Sequence, residues 1–494
     1  MSGDEPFRPI TAVPDSRYAS LAWSTWLVAL FVIAALIRLA CDTGIIGSDD
    51  LWYARYAQQI TSGQFPLSTN QFAGRTGVTL VVAAAYRLFG VGEVGTIIGP
   101  LLASSASVPL LAVIGARLFG PVAGSIAALF LCTSPIHVRF ATILVPEPLM
   151  EFWILLGVWC YLEALRRSSR WLGLVAGVAI GIAYLTKEPA AFVAPALILA
   201  GWLTGRRWLA IVVMAGALAV AGAEIATYTA VFRAPLHRVD SARVGVASFS
   251  DADLVRFKGG MSRREYLTRR LFLEYPRRMA VPTVDFGLHY MAALILGAVG
   301  VLLLRNGTVL LLSWAAIPWL FLNFGSASLS QYVPLYPAER YISLALPPLF
   351  VLGGGVLAAS MSLRDARVRA SAVVAVALVC VVGVACGLLT RGTGFRVNQM
   401  TALRAIVTRA STQATVPCHA SNDAGHVTGW ENERMDMWTE ALRIFERRPS
   451  SATQTRSLVI TQDVLGLPRS EPGTCDHGEA RDRRADAIPV ARHE

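Results

Sequence analysis

Charged residues are scarce in this 494-residue chain: Asp, Glu, Lys and Arg make up 16% of it, against 54% hydrophobic residues. No HExxH, GxSxG or paired CxxC sequence occurs, which removes the usual zinc-protease, serine-hydrolase and zinc-ribbon readings. There is no glycine-rich phosphate loop and no βαβ run, and no cytoplasmic soluble domain large enough to hold a nucleotide-sugar site. No basic patch is interleaved with base-stacking aromatics, so the formal charge of +11 is not a nucleic-acid footprint, and no nucleic-acid partner is expected. Cysteine outside apolar sequence is nearly absent. Cys41, Cys132, Cys160, Cys380 and Cys386 lie in or at the ends of apolar runs, where small buried thiols are common, leaving only Cys418 and Cys475 in soluble sequence.

What the chain has in abundance is apolar runs of about 17–25 residues, each enough to cross a lipid bilayer. The fold class is therefore an all-α polytopic membrane protein. The first run, Leu21 to Ala40, ends in Arg38-Leu39-Ala40-Cys41. With a charge where a cleavage site needs a small residue, it reads as an uncleaved span and not as a signal peptide. Residues 76–90 are apolar but short and carry Arg87, which predicts a re-entrant or surface helix.

Later spans then fall near 95–116, 121–137, 148–165, 171–186, 189–204, 208–231, 285–304, 308–325, 340–361 and 370–390, about eleven in all. On this count Arg117, Arg166, Arg167, Arg170, Arg206, Arg207, Arg305, Arg364, Arg367 and Arg369 share the side opposite Asp49 and Asp50, which the positive-inside rule makes cytoplasmic. Residues 1–20 become a cytoplasmic tail and residues 21–391 a membrane domain with outer loops 42–94 and 232–284. Residues 392–494 form an extracytoplasmic C-terminal region. That region carries a helical pattern over Met435–Arg447 and a strand-like Ser457–Thr461, a small α/β region. Cys418 and Cys475 are expected to form a disulfide there; zinc binding with His419 and His477 is the alternative, without CxxC spacing.

Charged groups near a membrane are costly, so those not needed as cytoplasmic anchors are candidates for function. On the outer side these are Arg38, Asp49, Asp50, Arg139, Glu147, Glu151, Lys187, Glu188 and Arg340. They come from separate segments at one depth, the pattern of a cavity opening outward and lined by both signs of charge. Ser48 reads as an N-cap with Asp49 and Asp50 in the first helical turn, where carboxylates suit the helix dipole. Trp52, Tyr53, Tyr56 and Ile60 follow on one stripe, predicting a helix on the membrane surface. Capping alone would explain the two acids, and would also explain Glu147 and Glu151 at the start of a span. Arg139, Lys187 and Arg340 suit a phosphate or pyrophosphate, although each also reads as an interfacial snorkelling residue.

Taken in order, Asp49-Asp50-x-x-Tyr53-Ala54 after an Arg38-bearing span, Pro135 to Arg139 leading to Glu147, Leu185-Thr186-Lys187, and Arg340-Tyr341 followed by Pro347-Pro348 resemble the GT-C glycosyltransferases. The similarity is to the lipid A aminoarabinose transferases, the protein O-mannosyltransferases and the RgtA/B/C/D-like galacturonosyltransferases, over about residues 20–360. The resemblance implies an inverting enzyme of the cytoplasmic (inner) membrane. It would move a sugar from a polyprenyl-phosphate carrier to an envelope acceptor (glycolipid, polysaccharide or protein) on the outer face. It further implies Asp49 as base, with Asp50 as its neighbour where the family usually has Glu, and Glu147 as second-loop acid. Arg139, Lys187 and Arg340 would bind the donor phosphate, and Arg38, Tyr53 and Tyr341 would line the substrate cavity. No cofactor or full metal-ligand set is read from the residues, and a divalent cation is left open because paired acids in such folds can hold one. A lipid-linked sugar flippase is the rival, expected to show inverted repeats and mid-membrane charges, neither of which occurs; a polysaccharide ligase would lack the early acidic loop.

Overall fold

Apolar runs bounded by Gly, Pro and Arg become helices wherever the computed structural model describes the chain, which is residues 17–42, 49–65, 71–239, 241, 286–304, 307–325 and 339–391. Among the described residues there are fourteen α-helices and no strand. In order they are α1 Arg17–Ala40, α2 Asp49–Thr61, α3 Thr76–Phe89, α4 Glu93–Phe119, α5 Pro121–Thr133, α6 Pro135–Phe140 and α7 Glu147–Arg167. The rest are α8 Arg170–Thr186, α9 Val193–Leu203, α10 Arg207–Phe232, α11 His289–Leu303, α12 Thr308–Phe324, α13 Leu346–Met361 and α14 Ala366–Thr390. Short 3-10 turns, Glu188–Phe192 and Glu339–Ala345, lead into α9 and α13. The expected strand at Ser457–Thr461, the helix at Met435–Arg447 and the Cys418–Cys475 pair lie outside the described residues.

A helix stands at each expected span, and six apolar segments are long enough to cross a bilayer: Leu21–Ala40, Val94–Phe119, Glu147–Arg167, Arg207–Phe232, Arg340–Met361 and Ala366–Thr390. Many of their apolar side chains point outward, as Val28, Leu218 and Val381 do, because the surrounding solvent is lipid and not water. The chain is a multi-pass membrane protein. One expected span, 121–137, is broken in two: Ser134 is extended at ψ 118°, as a residue before proline must be, and Pro135 starts α6 afresh.

Three of the ten arginines expected on one side meet in space. Arg117, Arg166 and Arg167 all converge on Glu163, at 2.9, 2.8 and 3.0 Å, while the acids and bases of the opposite group meet one another at the site described below.

Helix α3 is too short to cross and packs on α2, α4 and α8. The aromatic stripe of α2 was expected to lie at lipid headgroups; Tyr53 and Tyr56 are instead buried within the protein. Apolar α3 offers them a drier face than the membrane surface, and Tyr53 packs edge-on to Phe72 with ring centroids 5.3 Å apart. The close seat of α3 depends on Gly77. A Cβ there would meet Thr186 Oγ1 at 2.4 Å and the Thr186 backbone nitrogen at 2.7 Å, so Gly77 lets the head of α3 touch the end of α8. Gly77→Ala is expected to destabilise the fold by about 1–3 kcal/mol, read as a lower thermal midpoint in detergent; an unchanged midpoint would refute the tight seat.

Candidate active site

Four segments far apart in the chain bring alternating charges together. Helix α8 stops at Thr186 because Pro189 follows closely and cannot continue it. Lys187 is thereby extended, at φ −159° and ψ 137°, and its buried side chain turns back to pair with Glu147 Oε1 at the head of α7. Arg340, on the 3-10 turn before α13, donates from Nη2 to Asp49 Oδ2 at 2.8 Å. Its Nε lies 3.1 Å from Glu147 Oε1. Asp49, Arg340, Glu147 and Lys187 thus form a chain of opposite charges, with the two acids each held by a cation. The Lys187 ammonium also lies 4.2 Å from the centre of the Tyr341 ring, a cation–π contact.

A second ion cluster stands behind the first. Arg75 donates to the Tyr53 hydroxyl at 2.7 Å and pairs with Glu188 at 3.2 Å. Glu188 in turn meets Arg238 at 3.2 Å, and Arg238 meets Glu224 at 2.8 Å. Arg238 also donates to the carbonyls of Tyr184, at 2.7 Å, and Gly74, at 3.2 Å, tying the start of the outer loop to the ends of α8 and α3. Because Lys187 and Glu188 are adjacent, one short turn belongs to both clusters.

Burial pushes the Tyr53 phenol above its ordinary value, against the opposing pull of Arg75. Burial alone would raise the Glu188 carboxyl, but Arg75 and Arg238 outweigh it and bring it down to about 2. A group with a depressed folded value stabilises the fold at pH above its unfolded value and loses that contribution as pH falls through the folded one. The Glu188 contribution is therefore expected in full above pH 4.5 and to be lost toward pH 2, reduced in size because a third of the side chain is solvent-exposed. Thermal unfolding across that range should lose part of its acid sensitivity in Glu188→Gln; identical pH profiles would show that the cluster does not act this way.

Beside Arg340 and Glu147 opens a narrow cavity whose walls include Ser104, His137, Phe140, Glu151 and Ser343. Of the residues expected at a site, Asp49, Glu147, Lys187, Arg340 and Tyr341 come together directly, and Tyr53 joins through Arg75. Arg38 is fully buried and reaches the cavity wall by donating to Ser104 at 2.7 Å. Only Glu147 and Arg340 of these line the cavity itself, and the last two, Asp50 and Arg139, make other contacts. Asp50 is 1% exposed and interacts with Tyr86 of α3, because successive helical residues point about 100° apart. Arg139 is half-buried, with its guanidinium over the Phe140 ring at 5.8 Å. Arg75, Arg238 and His137, the last 3.2 Å from the expected Glu151, stand at these clusters although the residue pattern did not single them out. Arg75 and Arg238 fall on the expected outer side, where a cation is disfavoured, and that signal was available.

The acids do not suit a divalent cation. Asp49 and Glu147 already face Arg340 and Lys187, and among the described residues no group of three or more His, Cys, Asp and Glu side chains is placed to hold a metal ion.

Residues 77–228 match the family model described as dolichyl-phosphate-mannose-protein mannosyltransferase. No curated protein matches the chain. Among solved structures, ArnT from Cupriavidus metallidurans in the apo state is 15% identical with a TM-score of 0.51, over 80% of this chain and 81% of that one. The same ArnT bound to undecaprenyl phosphate is 14% identical with a TM-score of 0.53, over 79% and 81%. The Archaeoglobus fulgidus oligosaccharyltransferase, in complex with zinc and sulfate, is 14% identical with a TM-score of 0.53, over 84% of this chain and 61% of its own. At these identities the likeness is one of fold, and the fold is the GT-C one that the order of motifs implied.

Proposed function

We propose that this multi-pass membrane chain, built on the GT-C glycosyltransferase fold, transfers a sugar from a polyprenyl-phosphate carrier to a hydroxyl of an envelope acceptor on the outer face of the cytoplasmic membrane. The observation that carries the reading is the meeting of Asp49 with Arg340 and of Glu147 with Lys187, across the whole length of the membrane domain. A sugar or serine hydroxyl is a poor nucleophile and needs a base; a departing phosphate needs fixed cations. Both are present, side by side. The binding of undecaprenyl phosphate by ArnT, a protein of the same fold, favours a polyprenyl phosphate over a soluble donor.

The roles follow from the pairing. Arg340 holds Asp49 Oδ2, leaving Oδ1 to take the acceptor proton. As that proton leaves, the acceptor oxygen bonds to the anomeric carbon, and the carrier phosphate departs with the electron pair of the broken bond. A single displacement of this kind inverts the anomeric centre. Lys187 supplies a point charge to the departing phosphate and Arg340 a planar donor pair, while Glu147 keeps both cations in place.

Purified full-length protein, supplied with radiolabelled polyprenyl-phosphate mannose and membrane extract, tests the reading. Label should move to the extract while bare polyprenyl phosphate accumulates. Label that stays on the carrier, while the carrier changes leaflet in proteoliposomes, would replace the transferase with a flippase.

A further inference from the structure

The end of α7 away from Glu147 carries a second group of charges that the transfer chemistry leaves unused. Arg167 lies 20 residues beyond Glu147 on that helix, about 30 Å along its axis, the thickness of a bilayer's hydrocarbon core. There Glu163, its side chain only 2% exposed, accepts from Nε of Arg166 at 3.1 Å and of Arg167 at 3.0 Å, and stands 2.9 Å from Nε of Arg117. Three guanidiniums from the ends of α4 and α7 share one carboxylate, a surplus of two positive charges. Their side chains are 36%, 50% and 60% exposed, so Glu163 anchors them from the protein side while part of each stays open. From Val94 to Thr186 the other acids are Glu147 and Glu151, both at the opposite end of α7, so nothing in this stretch of chain offsets the surplus. Arg170 and Trp171 follow at the start of α8, both exposed, and tryptophan on the surface of a membrane protein favours headgroup depth.

We propose that the joined ends of α4 and α7 seat the phosphate of an anionic phospholipid, in the leaflet opposite the candidate active site. A guanidinium grips phosphate oxygens two at a time, and basic clusters between helices at a membrane boundary are where anionic headgroups bind. Glu163 adds to this by holding the arginines in place, so that less side-chain freedom is lost when the phosphate arrives. The surplus charge sets the choice of headgroup. Phosphatidylcholine brings a cation of its own, which would stand against the arginines, whereas phosphatidylglycerol brings none. A lipid is favoured over free phosphate because Val122 and Trp171, 54% and 69% exposed, flank the arginines in the chain and offer acyl chains an apolar surface. The inference stands apart from the transferase reading.

Binding of phosphatidylglycerol, phosphatidylcholine and inorganic phosphate to the detergent-solubilised full chain tests the seat. The wild type should bind phosphatidylglycerol more tightly than phosphatidylcholine, and inorganic phosphate most weakly. The double variant Arg166→Gln/Arg167→Gln, which leaves Arg117 beside Glu163, should weaken phosphatidylglycerol about thirtyfold, the loss of two arginines near the surface, with phosphatidylcholine little changed. Arg117→Gln, which leaves two cations on Glu163, should weaken it about fivefold and reads the same seat from the other helix. Arg364→Gln/Arg367→Gln removes as much charge from exposed positions at the head of α14 and should leave phosphatidylglycerol binding near that of the wild type. Equal affinity for the two lipids, equal weakening in the two double variants, or unchanged phosphatidylglycerol binding in Arg166→Gln/Arg167→Gln and in Arg117→Gln would overturn the seat. Inorganic phosphate that binds as tightly as phosphatidylglycerol would replace the lipid with a soluble anion and overturn it as well.

Discussion

Asp49→Asn is expected to slow sugar transfer by about 10²–10⁴-fold, the contribution of a positioned general base, with the loss in kcat and little change in KM for the carrier. Asparagine keeps the shape of aspartate and an oxygen that can accept from Arg340 in place of the 2.8 Å contact, so the phosphate side of the site should stay assembled. What it loses is the ability to take a proton. Initial rates with polyprenyl-phosphate mannose at saturating carrier measure the effect, alongside carrier binding as a check on assembly. Full activity would remove Asp49 as base. Asp50 makes the natural contrast: at 1% exposure beneath α2, it is out of reach of an acceptor.

The second large effect is on stability. Lys187→Met keeps the length of the side chain but removes one side of a pair whose members are 3% and 4% exposed. Breaking a buried ion pair from one side costs about 3–5 kcal/mol, most of it from the charge left behind. Arg340, still 3.1 Å from Glu147, offsets part of that, so the lower end of the range is expected. Thermal unfolding of Lys187→Met, Glu147→Gln and the double variant forms a cycle that isolates the pair. The double variant should recover much of the stability lost in Lys187→Met and yet remain inactive, because the departing phosphate has lost a cation. Additive losses in the cycle would mean that the two side chains do not act as a pair.

Much of the site could be read from the order of residues along the chain, because the signals were local. Asp49 sits in the first turn of a helix that the run of α2 predicts. Lys187 stands out as a cation on the side where cations are disfavoured, and Glu147 as an acid at the head of a span. Arg75 and Arg238 obeyed the same logic and were passed over, since each lies in polar loop sequence where a single arginine attracts no notice. Their significance comes from Glu188, which holds both, at 3.2 Å each. His137 was similarly hidden, and Glu151, although named as a candidate, had no visible partner. A histidine after a proline and an acid near the start of a span say little until α6 folds back against α7.

That the chain is a multi-pass bundle of apolar helices was determined by sequence alone, because lipid imposes a length and a polarity on every segment that crosses it. Tertiary structure decided which charges pair and which face the cavity. Asp49 and Asp50 are equivalent in sequence, but a rotation of about 100° per helical residue turns one toward Arg340 and the other beneath α2. That choice depends on how α2 sits on α3, and so on Gly77 against Thr186, contacts between segments that no local pattern encodes.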